Sequence, residues 1–144
     1  HLVDFDFKHD HVHLNDIPLT GKIDLINVLN NKEVEVVDFK TGNPDGKYKE
    51  LSEDGDYFRQ LVFYKLLSTL DPNFKYTVVK GTIDFVQKSK QKGTYTRREF
   101  TIADQHLANL KTLITEVYSK ILAQDFFHIG PDCKNKKNLH YLLK

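Results

Sequence analysis

The chain of 144 residues contains no methionine and a single cysteine. One thiol, Cys133, closes no intrachain disulfide, and it excludes an all-cysteine zinc site or an iron–sulfur cluster built from this chain alone. A lone cysteine also fits a reducing, cytosolic compartment. Without methionine there is no translational start, so the sequence reads as a segment of a longer protein. Long apolar runs are missing too. None approaches the roughly eighteen residues that a membrane-spanning helix needs, and His1-Leu2-Val3-Asp4 lacks the basic and apolar regions of a signal peptide. Net charge is only +1, so bulk electrostatics announce neither a nucleic-acid binder nor an acidic tail. Internal repeats and low-complexity tracts are absent. What remains is a globular composition, 40% hydrophobic and 28% charged, which argues against disorder and fits one domain, 1–144, with one core.

The first forty residues read as strands separated by short turns. Leu2 to Phe7 alternates apolar and acidic residues, the pattern of a half-buried strand. Val12 to Leu14 suits a short second strand with Asn15-Asp16 as its turn. Leu19 to Leu29 and Glu33 to Lys40 read as a hairpin pair around Asn30-Asn31. Thr41 to Gly55 is rich in glycine, proline and acids and reads as an exposed loop. Asp56 to Leu70 is expected to be a helix that is apolar on nearly every side and therefore buried, ended by Asp71-Pro72. Two more strands, Tyr76 to Gln87 and Thr94 to Thr101, flank a loop over 88–93. A second helix follows, with Ala103, Leu107, Leu110, Ile114, Val117 and Ile121 along one face and Thr101 or Asp104 as its cap. Strands, a helix, more strands and a helix predict an α/β (α+β mixed) fold, a central mixed sheet flanked by helices.

The chemistry concentrates in Gly21-Lys22-Ile23-Asp24 and Val36-Val37-Asp38-Phe39-Lys40-Thr41-Gly42. Strand alternation puts Asp38 and Lys40 on one face and Val37 and Phe39 on the other. The hairpin brings Asp24 near Asp38, so two carboxylates and an ammonium converge at one edge of a sheet. Hard divalent cations take such oxygen ligands, and Mg²⁺ commonly keeps one or two carboxylates plus water and substrate phosphate. A lysine beside such a centre can orient water and offset charge on a phosphorane. On the next helix Gln60 and Tyr64 are four apart and share a face with Tyr57. Buried without partners, a glutamine on so apolar a helix costs about 1–3 kcal/mol. It therefore either bonds neighbouring backbone or looks into a polar site.

Gly21-Lys22-Ile23-Asp24, Val37-Asp38-Phe39-Lys40-Thr41-Gly42 and Gln60-Leu61-Val62-Phe63-Tyr64, in this order and spacing, resemble the three motifs of RecB-type nucleases of the PD-(D/E)XK superfamily. The likeness extends over roughly residues 2–126 and implies a restriction-endonuclease-like core. The fuller run Tyr57 to Lys65 is most similar to the C-terminal nuclease domain of bacterial UvrD-like helicases. The resemblance implies that Asp24, Asp38 and the backbone carbonyl of Phe39 ligate Mg²⁺ or Mn²⁺, that Lys40 is the catalytic lysine, and that Gln60 and Tyr64 position the site and the DNA backbone. It further implies DNA, single-stranded or at ends, as substrate, and helicase motor domains in the same parent chain as partners, acting in repair or recombination in the bacterial cytoplasm. Family members usually carry a metal-binding histidine on a helix before these strands, and the chain begins after that position. His9, His11 and His13 lie in a different element and read as solvent-facing. Many relatives bind a [4Fe–4S] cluster through four cysteines. Here Lys136 occupies the partner position of Cys133, and no cluster is expected.

Local charge is less even than the total. Gln87 to Arg98 holds Lys88, Lys90, Lys92, Arg97 and Arg98 with no acid, a candidate phosphate-binding stretch, and Lys134, Lys136, Lys137 and Lys144 form a second. Asp45, Glu50, Glu53, Asp54 and Asp56 form an opposing acidic loop, which either keeps DNA to one side or docks on another domain. Tyr48 within it is a candidate for stacking on a base. Two other readings stay open: a stand-alone nuclease, and a degenerate copy that binds DNA or a partner protein without cutting.

Overall fold

The computed structural model describes residues 2–7 and 12–125. The C-terminal basic stretch, Cys133, His9 and His11 lie outside them. A five-stranded sheet runs in the order β1 (Leu2–Phe7), β4 (Gly21–Val28), β5 (Glu33–Lys40), β6 (Thr77–Lys88), β7 (Tyr95–Thr101). Only the β5–β6 pair is parallel, and helix α1 (Asp56–Leu70) is the crossover between those two strands. The sheet is thus mixed, with β5 at its centre, a restriction-endonuclease-like arrangement. Helix α2 (Asp104–Asp125) closes the described chain. Among the described residues no helix is long and apolar enough to cross a membrane.

Local sequence accounts for these elements. β5 is buried without a break from Val34 to Asp38, as expected of a strand with neighbours on both sides. α1 begins at Asp56 and ends before Asp71-Pro72. It packs against β4, β5 and β6 and also against α2, which is why its apolar residues show no single stripe. Leu61, Leu66 and Leu67 are fully buried, each contributing roughly 1.5–3 kcal/mol of transfer free energy. Gly81 lies where α1 packs closely on β6, and a Cβ there would press on Leu61 and Ile102. Leu107, Leu110 and Ile114 form the buried stripe of α2.

Three details differ from the sequence expectations. The first hairpin strand is shorter, starting at Gly21 and ending at Val28, and a small ladder of β2 (His13–Leu14) with β3 (Ile17–Pro18) precedes it. Asn15, at φ 54°, makes that tight turn possible. The start of α2 is capped neither by Thr101, which ends β7, nor by an Asp104 side chain. Instead His106 Nδ1 accepts the Ala103 N–H at 2.9 Å.

Candidate active site

The β4–β5 ladder is antiparallel and stops at the pair Leu25–Val37. One residue further along each strand stand Asp24 and Asp38. Beyond the last paired residues the Asp24 side chain takes over from the ladder, its Oδ2 accepting the Phe39 N–H at 2.9 Å. Asp24 is therefore tied by its own carboxylate to the Asp38–Phe39 peptide. Phe39 points to the opposite face, where its ring is 42% exposed.

Asp38 and Lys40 face the first turns of α1, as the alternation predicts. There four side chains close a ring. The Lys40 ammonium donates to Gln60 Oε1 at 2.7 Å. The Gln60 amide nitrogen donates to the Tyr64 hydroxyl at 2.8 Å. Tyr64 donates to Asp38 Oδ1 at 3.1 Å. Asp38 Oδ2 completes the circuit 2.7 Å from Lys40 Nζ. That last contact is a buried ion pair, and the Lys40 ammonium is the one partner of Oδ2 among the described residues. Gln60 thus looks into the polar site, resolving the choice left open by its sequence. The ring also fixes which way its amide faces, because only the carbonyl oxygen can accept from an ammonium.

Electrostatics follow from the burial. Asp38 is 3% exposed, and that burial pushes its carboxyl above the usual carboxylate range. The Lys40 charge opposes the shift and the neighbouring Asp24 adds to it. Burial and the Asp38 charge drive the Tyr64 phenol far above its ordinary value, with Asp24 adding further. Tyr64 therefore stays protonated and acts as a donor, never as a base. The ring of Tyr57 lies 4.7 Å from Lys40 Nζ, a cation–π contact that the sequence signals only through the shared helical face.

The fit of a divalent ion can be judged from these donors. Asp24, Asp38 and the Phe39 carbonyl offer hard oxygen ligands side by side where the β4–β5 ladder stops, the donor chemistry such an ion takes. Among the described residues no cluster of three His, Cys, Asp or Glu gathers anywhere. The centre is a two-carboxylate one, which suits an ion that keeps water and substrate oxygens as its other ligands.

The basic residues divide. Lys88, Lys90 and Lys92 are exposed at the β6–β7 tip. Arg98 is exposed beside the Phe100 ring, 5.0 Å from its centroid. Arg97 instead joins a network on the sheet face opposite α1, 3.0 Å from both Glu35 and Asp84. Its charge is already matched by carboxylates, so the structure gives it a role within the sheet rather than a free site for phosphate. The acidic loop is not simply opposed to the basic tip either: Asp45 is hydrogen-bonded into it.

A central mixed sheet whose parallel strand ends in an acid and a lysine, with a second acid on the neighbouring strand and a glutamine and tyrosine on the crossover helix, defines a class of nuclease folds. The chain belongs to the PD-(D/E)XK nuclease superfamily, whose family model matches residues 1–135. A comparison with curated proteins finds no match.

Proposed function

We propose that this chain is a divalent-metal-dependent DNA nuclease domain that hydrolyses phosphodiester bonds, with Asp24, Asp38, Lys40, Gln60 and Tyr64 as its site. The closed ring of Lys40, Gln60, Tyr64 and Asp38 carries the reading. A structural lysine needs only one counter-charge. This one is held by an acid, an amide and an aromatic face at the mouth of an acidic pair.

Asp24, Asp38 and the Phe39 carbonyl would hold Mg²⁺ or Mn²⁺. When bound, such an ion polarises a phosphoryl oxygen and eases deprotonation of water. The remaining work falls to the chain's own groups. The Lys40 ammonium, restrained at Nζ, orients the attacking water and offsets charge developing on the phosphorane. Gln60 holds Lys40 in line, and the Tyr64 O–H keeps Asp38 Oδ1 oriented. Arg98 and the tip lysines Lys88, Lys90 and Lys92 supply sequence-independent phosphate contacts. The run from Tyr57 to Lys65 is similar to the nuclease domain of UvrD-like helicases. It supports single-stranded DNA as the substrate and motor domains in a longer parent chain that processes DNA in repair or recombination.

The deciding experiment is cleavage of end-labelled single-stranded DNA with Mg²⁺ or Mn²⁺. Asp38→Ala and Lys40→Ala are each expected to lower kcat by at least about 10²-fold. Cleavage that survives both substitutions would refute the site. If the chain does not cut, yet binds DNA and shows no Asp38-dependent Mn²⁺ binding by calorimetry, the degenerate, non-cutting reading takes its place.

A further inference from the structure

Five residues beyond Lys40, on the loop joining β5 to α1, Asp45 uses its whole carboxylate on the β6–β7 tip. Oδ1 accepts the Ser89 hydroxyl, while Oδ2 accepts the successive main-chain N–H groups of Lys90 at 2.9 Å and Gln91 at 3.1 Å. The Asp45 N–H donates to Asn43 Oδ1 at 3.2 Å, so the acid is itself held. Ser89, 2% exposed, organises the rest of the tip. Its Oγ accepts the Lys92 N–H at 3.0 Å, its N–H donates to the Thr94 carbonyl, and its carbonyl accepts the Gly93 N–H. Gly93, at φ 69°, allows the chain to turn there. These bonds hold Asp45 below the usual carboxylate range, the Ser89 hydroxyl contributing most.

The tip lies at the same end of the sheet as the acidic pair, because β5 and β6 run parallel and Lys40 is in register with Phe85. Lys88 is three residues further on, on the order of 10 Å along the strand direction, or about three phosphates of a duplex strand. Among the described residues no carboxylate forms an ion pair with Lys88, Lys90 or Lys92. A hairpin tip on its own would order only on binding, at an entropic cost. This one is already ordered, by a loop that begins at the catalytic lysine.

We propose that Asp45 is a positioning residue for nucleic acid: it locks the β6–β7 tip to the active-site loop, so that Lys88, Lys90 and Lys92 stand as a preformed phosphate track leading away from the acidic centre. The proposal rests on the nuclease reading and goes beyond it by making an acid necessary for binding a polyanion. It is sharply testable because bulk electrostatics predict the opposite sign. An acid beside three lysines should weaken DNA binding, and its removal should then tighten it.

The test is steady-state cleavage of a single-stranded oligonucleotide by the full chain across a salt series, with kcat and KM separated. Asp45→Ala and the milder Asp45→Asn are compared with the triple variant Lys88→Ala/Lys90→Ala/Lys92→Ala. The asparagine keeps one acceptor for Ser89 but loses the pair aimed at Lys90 and Gln91. The triple variant is expected to raise KM and flatten the dependence of log KM on log salt by about 0.7 per lysine lost. Asp45→Ala is expected to raise KM about 3- to 10-fold with a much smaller change in kcat, and to add little in the triple background, as coupled residues do. Asp45→Asn should fall between. Unchanged or lower KM in both Asp45 variants, or losses fully additive with the lysines, overturns the proposal while wild-type cleavage leaves the nuclease reading standing. A wild-type chain that neither cuts nor binds DNA overturns both.

Discussion

The ammonium of Lys40 meets three neighbours through three kinds of force: a carboxylate at 2.7 Å, an amide oxygen at 2.7 Å and the face of an aromatic ring. Two of these partners were legible in the sequence, because strand alternation gives Asp38 and helical spacing puts Gln60 on a polar face with Tyr64. The third was not. Spacing says which face Tyr57 shares, but the reach of a side chain across the gap between strand and helix depends on packing that no periodicity encodes. Tyr57 acts on Lys40 through its ring, and its hydroxyl has no part in that contact. Tyr57→Phe should therefore leave kcat for cleavage within about twofold, whereas Tyr57→Leu should lower it roughly 3- to 30-fold, the worth of a cation–π contact of about 0.5–2 kcal/mol. Equal losses in the two variants would show that the phenol, not the ring face, matters.

Among the elements, β5 carries most. One face of it presents Val34, Val36, Asp38 and Lys40 to α1. The other buries Glu35, which binds four neighbouring groups: Asn27 on β4, Thr82 and Lys80 on β6, and Arg97 on β7. Burial alone would push the Glu35 carboxyl up. Bonds from Thr82 and Asn27, with the charges of Lys80 and Arg97, outweigh that and hold it below the usual glutamate range. A depressed folded value means the folded protein binds this proton less readily than the unfolded chain. The resulting stability is present above the unfolded value and fades as pH falls through the folded one. Glu35→Gln should therefore cost about 1–3 kcal/mol at neutral pH, and urea melts of the two proteins should converge below about pH 4. A constant gap down to pH 3 would assign the loss to shape rather than charge. The elements themselves were largely legible: the expected bounds of β1, β5 and α1 are those observed, because hydrophobic period and the Asp71-Pro72 stop are local signals. Strand β2 and its Asn15-Asp16 turn were legible, but its partner β3, the His106 cap and the commitment of Arg97 were not, since each depends on a partner that folding brings near. An acid inside the run Val34 to Val37 was the one visible hint of a cross-strand network.

At the scale of the molecule, the sheet gathers like charge at one end. Asp24 and Asp38 stand side by side where the β4–β5 ladder stops, Asp24 adding to the cost of charge on the buried Asp38, and Lys40 offsets only part of it. A folded chain that holds such a pair should be stabilised by a divalent cation, which binds the assembled pair but not the unfolded chain. At a hundredfold excess over Kd the gain is about 2.7 kcal/mol, which for a domain of this size is a rise in Tm on the order of 8 °C. Mn²⁺ added to the wild-type chain in a thermal melt should produce that rise, and chelation should reverse it. Asp38→Ala removes the buried carboxylate of the pair, so its Tm should not respond to the ion. Asp45→Ala leaves both acids in place, so its response should match the wild type. A wild-type Tm indifferent to Mn²⁺ would mean that Lys40 alone balances the acidic pair, and the centre would then be an ion-paired sheet edge rather than a metal site.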